Sequence, residues 1–284
     1  MKILVINPGG TSTKIAVFED EKELFKENIT HTGEDLKGFP HVFDQFGYRK
    51  DIILETLKKA GFEIRTFAAV AGRGGLMNPI PGGTYTVNSR MVEDLRGAIH
   101  GEHPSNLGAV LAKEIGDEIG ASSFVVDPVS VDELMPKARI SGISDLERPS
   151  WFHALNHKAV ARWAAERIGK KYEDCNLIIA HLGSGNSIVA HRGLPTYPLV
   201  ELCYSGKYTH EQMVAKLSSV GGMYDYLGTK DAQEVERRME AGDEKARLVY
   251  EAFVYSVAKE ICSYAAAFDG PVDRIVLTGG IAHS

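Results

Sequence analysis

Cysteine is scarce in this 284-residue chain: Cys175, Cys203 and Cys262 are its three, widely spaced and without a CxxC pair. An odd count at such spacing supports neither a disulfide framework nor a thiolate zinc site, and it suits a reducing cytoplasm. Long apolar runs are also missing near the start, where MKILVINPGG reaches Asn-Pro-Gly-Gly after five apolar residues. That is too short for a signal-peptide core or a membrane span. No long run of one charge occurs, and 32 basic against 38 acidic residues leave a net charge of -6. Neither nucleic acid nor an anionic membrane is an expected partner. A GxxxxGKS/T motif is absent, which removes the P-loop, and no complete GxGxxG opens a βαβ unit, which argues against a dinucleotide dehydrogenase.

What is present is globular in character. Hydrophobic residues make up 44% and charged residues 25% of the chain, and the length divides into about two domains of common size. The opening pattern is an apolar strand over 2–7, a Pro-Gly-Gly turn, a second strand over 13–19 and a third over 23–30. A helix is expected over 51–60, a buried strand over 67–71, helices over 89–99 and 105–119, and a strand over 123–127. Beyond these come a helix over 152–168, a strand over 177–181, helices over 208–217, 232–241 and 244–268, and a last strand over 274–278. The opening pattern recurs at AHLGSGNSIVA from Ala180, with Asn7 and His181 in corresponding places. Such a repeat points to two copies of one β-β-β-α unit.

Three glycine turns follow strands, near Gly9, Gly183 and Gly279. Backbone N–H groups freed there are suited to phosphate oxygens, with Gly10 in the first turn and the hydroxyls of Thr11, Ser12, Thr13 and Ser184 as further donors. A single such turn is most often an ordinary hairpin. Three in matching places favour a nucleotide site.

The blocks VINPGGTSTKIAVFED, AGRGGLMNPIPGGTY, GEHPSNLGAVLA, VVDPVSVDEL, SWFHALNHKAVAR, IIAHLGSGNSIVAHR, LCYSGKYT and IVLTGGIAHS occur in this order over nearly the whole chain. Through them the sequence resembles the acetate and butyrate kinase family of the sugar kinase, heat-shock chaperone and actin superfamily, its butyrate kinases most of all. The resemblance implies an α/β fold of two ribonuclease-H-like domains, 1–150 and 151–284, built from duplicated β-β-β-α-β-α-β-α units that flank a nucleotide cleft. It also implies transfer of the γ-phosphoryl group of ATP, with Mg²⁺, to a short-chain carboxylate, in a cytoplasmic homodimer or larger homo-oligomer.

Roles carried over by the resemblance fall on residues of this chain. Asn7 goes to the phosphates or the metal, and Lys14 is its cationic neighbour. Arg73, between glycines, offers a planar fork to the carboxylate or the transferred phosphoryl. Asp127 holds Mg²⁺ or orients the attacking group, and His103, His153 and His181 donate to phosphoryl oxygens in the transition state. Gly183, Ser184 and Gly185 touch the phosphates, while Gly279, Gly280 and Ile281 lie beside adenosine. Phe152 walls the acyl pocket. Gly75 is smaller than the Val of acetate-specific relatives, so butyrate or a branched relative such as isobutyrate is expected over acetate, with overlap because a methylene discriminates by only about 1–3 kcal/mol. A rival within the superfamily is an ATP-gated conformational protein with no acyl acceptor, which would have no use for Arg73 or the Phe152-His153 pair.

Two departures from the family pattern stand out. Ala190-His191-Arg192 runs straight into Gly193-Leu194-Pro195, without room for the third strand and the loop arginine of the family. The chain also stops soon after Gly279-Gly280, short of the family's closing elements and metal-side Glu. Sequence missing from both places is the expectation.

Overall fold

A computed structural model describes residues 1–141, 144–150, 152–183 and 194–283. The chain divides into two compact units, Met1–Leu155 and Asn156–Ser284. The first contains strands β1 (Lys2–Pro8), β2 (Ser12–Glu19) and β3 (Lys22–Thr30), helices α1 (Gly33–Leu36) and α2 (Phe46–Lys59), then β4 (Ala69–Arg73) and β5 (Thr84–Thr86). It continues through α3 (Ser89–Arg96), α4 (Asn106–Ile119), β6 (Ser122–Val126) and α5 (Pro136–Arg139). Helix α6 (Ala154–Arg167) carries the boundary in its first turn.

The strands form one sheet in the order β3-β2-β1-β4-β6-β5. The antiparallel meander β1-β2-β3 passes into a parallel centre, β1-β4-β6, and β5 closes the edge antiparallel. Alternation along the strands sends Leu4, Ile6, Ile15, Val17 and Val70 to one face, where Ile53 and Leu57 of α2 and Leu107, Leu111 and Ile115 of α4 meet them. Each such side chain taken from water contributes about 1.5–3 kcal/mol, before the entropy of ordering it. Asn7, Lys14 and Arg73 alternate with these residues and belong to the opposite face.

Helix α4 approaches β4 unusually closely. A Cβ on Gly72 would lie 2.0 Å from the Gly108 carbonyl oxygen, and one on Gly108 would lie 2.2 Å from that of Arg73. The two glycines therefore set the depth at which the helix seats. The Ser123 hydroxyl of the neighbouring strand β6 donates to the Ala112 carbonyl at 2.7 Å and ties α4 to that strand as well.

The second unit contains β7 (Leu177–His181), α7 (Thr196–Tyr204), α8 (His210–Ser218), α9 (Met223–Leu227), α10 (Ala232–Glu240), α11 (Glu244–Ser263) and β8 (Arg274–Thr278). Strands β7 and β8 pair in parallel from Leu177↔Arg274 to His181↔Thr278, as β1 and β4 do in the first unit. Leu182, Met223, Phe253 and Val257 form one apolar cluster, and Leu227, Val235 and Ala246 another. All three cysteines lie here, Cys203 and Cys262 exposed and Cys175 half-buried. Among the described residues no helix is long and apolar enough to cross a membrane.

The α/β class expected from the sequence is present, with local differences. Helix α2 starts at Phe46 rather than near 51, the short strand β5 and helix α7 were not expected, and α11 ends at Ser263, where a 3-10 turn over Tyr264–Ala267 takes over. The second strand expected after Gly183, together with Ser184, Gly185 and Arg192, lies outside the described residues.

Candidate active site

In the first unit the candidate residues collect at the carboxyl ends of the parallel strands, where open α/β sheets receive their ligands. Asn7 and Lys14 are direct ladder partners across β1 and β2. Ile6 pairs with Gly72, which brings Arg73 beside Asn7, and the Arg73 Nη1 donates to Asn7 Oδ1 at 3.4 Å. Arg73 is half-buried and pairs with no carboxylate among the described residues. Burial lowers its pKa from the usual arginine value, the sign of a cation kept from water without a counter-charge.

His103 stands just ahead of α4, close enough that the Arg73 charge acts on it. Loss of hydration and that charge both lower its pKa, in that order of size, so the ring is biased toward neutrality at pH 7. Its tautomer follows from its neighbours. The Ser105 backbone N–H donates to Nδ1 at 3.1 Å, and the Ser105 hydroxyl sits 2.6 Å from the same nitrogen. A neutral ring that accepts at Nδ1 carries its proton on Nε2 and presents one N–H donor there.

Asn106, the first residue of α4, ties the turn that follows β4 to the turn that precedes α4. Its Oδ1 accepts from the Leu76 N–H at 2.9 Å and its Nδ2 donates to the Gly101 carbonyl at 3.0 Å. Asp127 follows β6, where Val126 is the ladder partner of Arg73. It is 4% exposed, has a left-handed φ of 39°, and accepts from the Gly83 N–H at Oδ1 at 2.8 Å. A non-glycine residue held in that region is strained, and such strain collects at functional sites. His153 is exposed and Phe152 half-buried, both immediately before α6.

Two expectations in this unit are corrected. The Thr13 hydroxyl does not face a ligand: it is fully buried, accepts from Arg49 Nη1 at 2.8 Å and lies 2.8 Å from His31 Nε2. Alternation explains this, since Thr13 shares the inward face with Ile15 and Val17. Gly75 does not open space for an acyl tail where its side chain would be, because a Cβ there would meet Asn106 Oδ1 at 2.5 Å and Leu95 Cδ2 at 2.8 Å. Its smallness serves the packing of α4.

In the second unit the turns after β7 and β8 do come together. The Leu182 N–H donates to the Thr278 carbonyl at 2.6 Å and the Ile281 N–H to the Leu182 carbonyl at 3.3 Å. Gly279 has a φ of 95°, and a Cβ on it would lie 2.2 Å from the Leu182 oxygen, so glycine is required by conformation and by space. Gly183, Gly279, Gly280 and Ile281 thus line one strand-end surface. His181 donates from Nδ1 to Asn156 Oδ1 at 2.8 Å, with the His157 ring 5.9 Å away.

Sequence reasoning missed Arg49, Ser105 and Asn106. A signal for Arg49 existed: it falls at the i-4 position of the buried stripe Ile53–Leu57 on α2, where a cation has no business unless it is paired or employed.

As a fold, this arrangement is that of carboxylate kinase structures. It matches the crystal structure of an acetate kinase from Porphyromonas gingivalis with a TM-score of 0.77, at 18% identity, over 99% of this chain and 83% of that one. A propionate kinase from Francisella tularensis gives a TM-score of 0.74 at 19% identity, over 99% and 84%. Residues 146–194 and 204–284 match the model of the acetokinase family. Butyrate kinase 1 and butyrate kinase 2 of Clostridium acetobutylicum are each 46% identical to it over 306 aligned positions, covering all of this chain and 86% of theirs. The chain belongs to the acetokinase family. Because 306 positions align against 284 residues, those relatives carry residues within the matched region that this chain lacks.

Proposed function

We propose that this chain is a short-chain fatty acid kinase, which transfers the γ-phosphoryl group of ATP to the carboxylate of butyrate or a branched relative such as isobutyrate, giving an acyl phosphate and ADP. The observation that carries this reading is Arg73, a half-buried guanidinium without a carboxylate partner among the described residues, held between Asn7 and His103 at a strand end. Such a group is suited to an anion that arrives from solution.

The acceptor carboxylate is already ionised at pH 7, its ordinary pKa lying near 4–5, so no general base is needed. Placement and charge neutralisation carry the rate. Arg73 offsets the repulsion between carboxylate and phosphoryl, His103 donates from Nε2 as charge spreads over the equatorial oxygens, and Lys14 adds a second cation across the ladder from Asn7. His153 and His181 are read as further ligands of the phosphoryl group, and Phe152 as a wall for the acyl tail. Gly10, Thr11, Gly183 and the 279–281 turn are read as phosphate and adenosine contacts.

Mg²⁺ suits this donor set. Among the described residues no cluster of three or more His, Cys, Asp or Glu could hold a metal alone, and Mg²⁺ commonly binds through one or two protein oxygens with substrate phosphates completing its shell. Asp127 and Asn7 are the oxygen donors at these strand ends, Asn7 Oδ1 also serving Arg73. The ion would supply charge neutralisation on the triphosphate. A hydroxamate assay with MgATP, hydroxylamine and C2 to C5 acids tests the reading. Signal peaking at four or five carbons is expected; equal turnover of acetate would overturn the preference, and no hydroxamate from a chain that binds ATP would overturn the kinase.

We read the assembly as a homodimer or larger in the cytoplasm. Leu248 and Tyr255, both 68% exposed on α11, support an apolar contact there, and sedimentation of the intact protein tests it.

A further inference from the structure

Arg49 is fully buried, yet none of its partners carries charge. Nε and Nη2 donate to Gln45 Oε1 at 3.0 and 2.8 Å, Nη1 to Thr13 Oγ1 at 2.8 Å and the Ser12 carbonyl at 3.2 Å, and Nη2 to the Gly10 carbonyl at 3.2 Å. These five bonds match the five N–H donors of a guanidinium. The groups packed around it add no counter-charge. His31 bridges Thr13 Oγ1 and the Tyr48 hydroxyl, and the charge of Asp35, which accepts from the Thr32 N–H and hydroxyl, acts on His31 and not on Arg49. Burial lowers the pKa of Arg49 from the ordinary arginine value. A buried charge without an ion pair is costly and calls for an employment.

Its position supplies one. Two of the acceptors are main-chain carbonyls of the first glycine turn, and the Ser12 carbonyl also receives the Gly9 N–H at 2.7 Å. Peptide groups are planar and trans, so a Gly10 carbonyl drawn inward directs the Thr11 N–H outward. The Thr11 carbonyl is separately tied to the His31 N–H at 2.8 Å. Gly10 and Thr11 are both exposed, and their N–H groups meet no acceptor among the described residues.

We propose that Arg49 is a positioning residue for the nucleotide phosphates: it pins the Gly9–Ser12 turn from beneath so that the Gly10 and Thr11 N–H groups stay available to a ligand, and lends that turn an uncompensated positive charge. The inference rests on the reading that this turn receives ATP. The charge acts through the turn, since Arg49 itself is sealed from solvent and touches no ligand. An anion brought to the turn gains both the aimed donors and a nearby cation in a low-dielectric setting, where the attraction is screened far less than in water.

The decisive substitution is Gln45→Glu. It preserves the shape of the acceptor that Nε and Nη2 share but replaces a neutral amide oxygen with a carboxylate, neutralising the guanidinium in place. The expected result is an unchanged or higher melting temperature, MgATP binding weakened about tenfold or more, KM for ATP raised to match, and KM for the carboxylic acid unmoved. Opposite movement of stability and nucleotide affinity is something a merely structural arginine would not produce. Equal MgATP affinity in wild type and a folded Gln45→Glu chain overturns the inference while leaving the kinase reading standing. A wild-type chain that neither binds MgATP nor forms hydroxamate overturns both. Should Gln45→Glu fail to fold, Arg49→Lys and Arg49→Gln are compared by the same titration. Tighter MgATP binding by the lysine variant supports the charge, and equal binding overturns it.

Discussion

Arg73 is the residue at which activity and stability should part company most clearly. Because it pairs with no carboxylate among the described residues, Arg73→Ala removes a cation without orphaning an anion, and unfolding by denaturant is expected to change by less than about 1 kcal/mol. Acyl phosphate formation should fall about 10²- to 10³-fold, and Arg73→Lys should recover little of it, since a point charge lacks the planar fork. His103 and His31 make a pH prediction. Both have folded pKa values lowered below the ordinary 6.5, each by burial first and a neighbouring arginine second. Their unfolded forms therefore bind protons that the folded forms refuse, so stability is full above about pH 6.5 and falls as the pH drops below it toward the folded values. Melting temperature should decline from pH 7 to 5.5, and His103→Asn should flatten part of that slope. Single residues were unevenly legible in the sequence. The strand-end positions of Asn7, Arg73 and Asp127 could be read because each ends an apolar run, whereas Thr13 was misread because strand alternation, rather than its place beside a glycine turn, decides which way a hydroxyl points.

Helix α4 shows what a single element demands. Its seat on β4 is fixed by Gly72 and Gly108, and a methyl group at Gly108 would lie 2.2 Å from the Arg73 carbonyl. Gly108→Ala should destabilise the chain by roughly 1–3 kcal/mol, despite alanine's better helix propensity, because backbone yields less than a side chain. Since the clash falls on Arg73 itself, catalysis should suffer beyond the loss of folded protein; denaturant titration and kcat on the same sample separate the two. Elements with strong periodicity were readable: β8 over 274–278 and the start of α11 at Glu244 agree with the sequence pattern. Helix α7 was not, since Thr196–Tyr204 carries Pro198 in its first turn, a residue that more often marks a break, and the helix buries none of its residues. Strand β5 is only Thr84–Thr86, too short for alternation to register.

Across the whole molecule the two units differ in how deeply their sheets are covered. In the first, β1, β4 and β6 are central and helix-covered on one face, whereas β8 leaves Ile275 and Leu277 each 51% exposed. Native-state hydrogen exchange should therefore be slowest at the β1 and β4 amides and markedly faster in β8; comparable protection would contradict this. The chain divides into two compact units, and the recurrence of strand-then-glycine-turn at Asn7 and His181 is the sequence feature that pointed to a duplication. The pairing of β7 with β8 could not be anticipated, because Leu177 and Arg274 are far apart in sequence, no local signal links them, and only the folded chain joins them. The placement of every cysteine in the second unit has a practical corollary. A thiol-reactive dye labels that half alone, leaving the half with Asn7, Arg73 and the first glycine turn chemically silent, so one cysteine introduced there would give a two-colour reporter of each unit's motion during turnover.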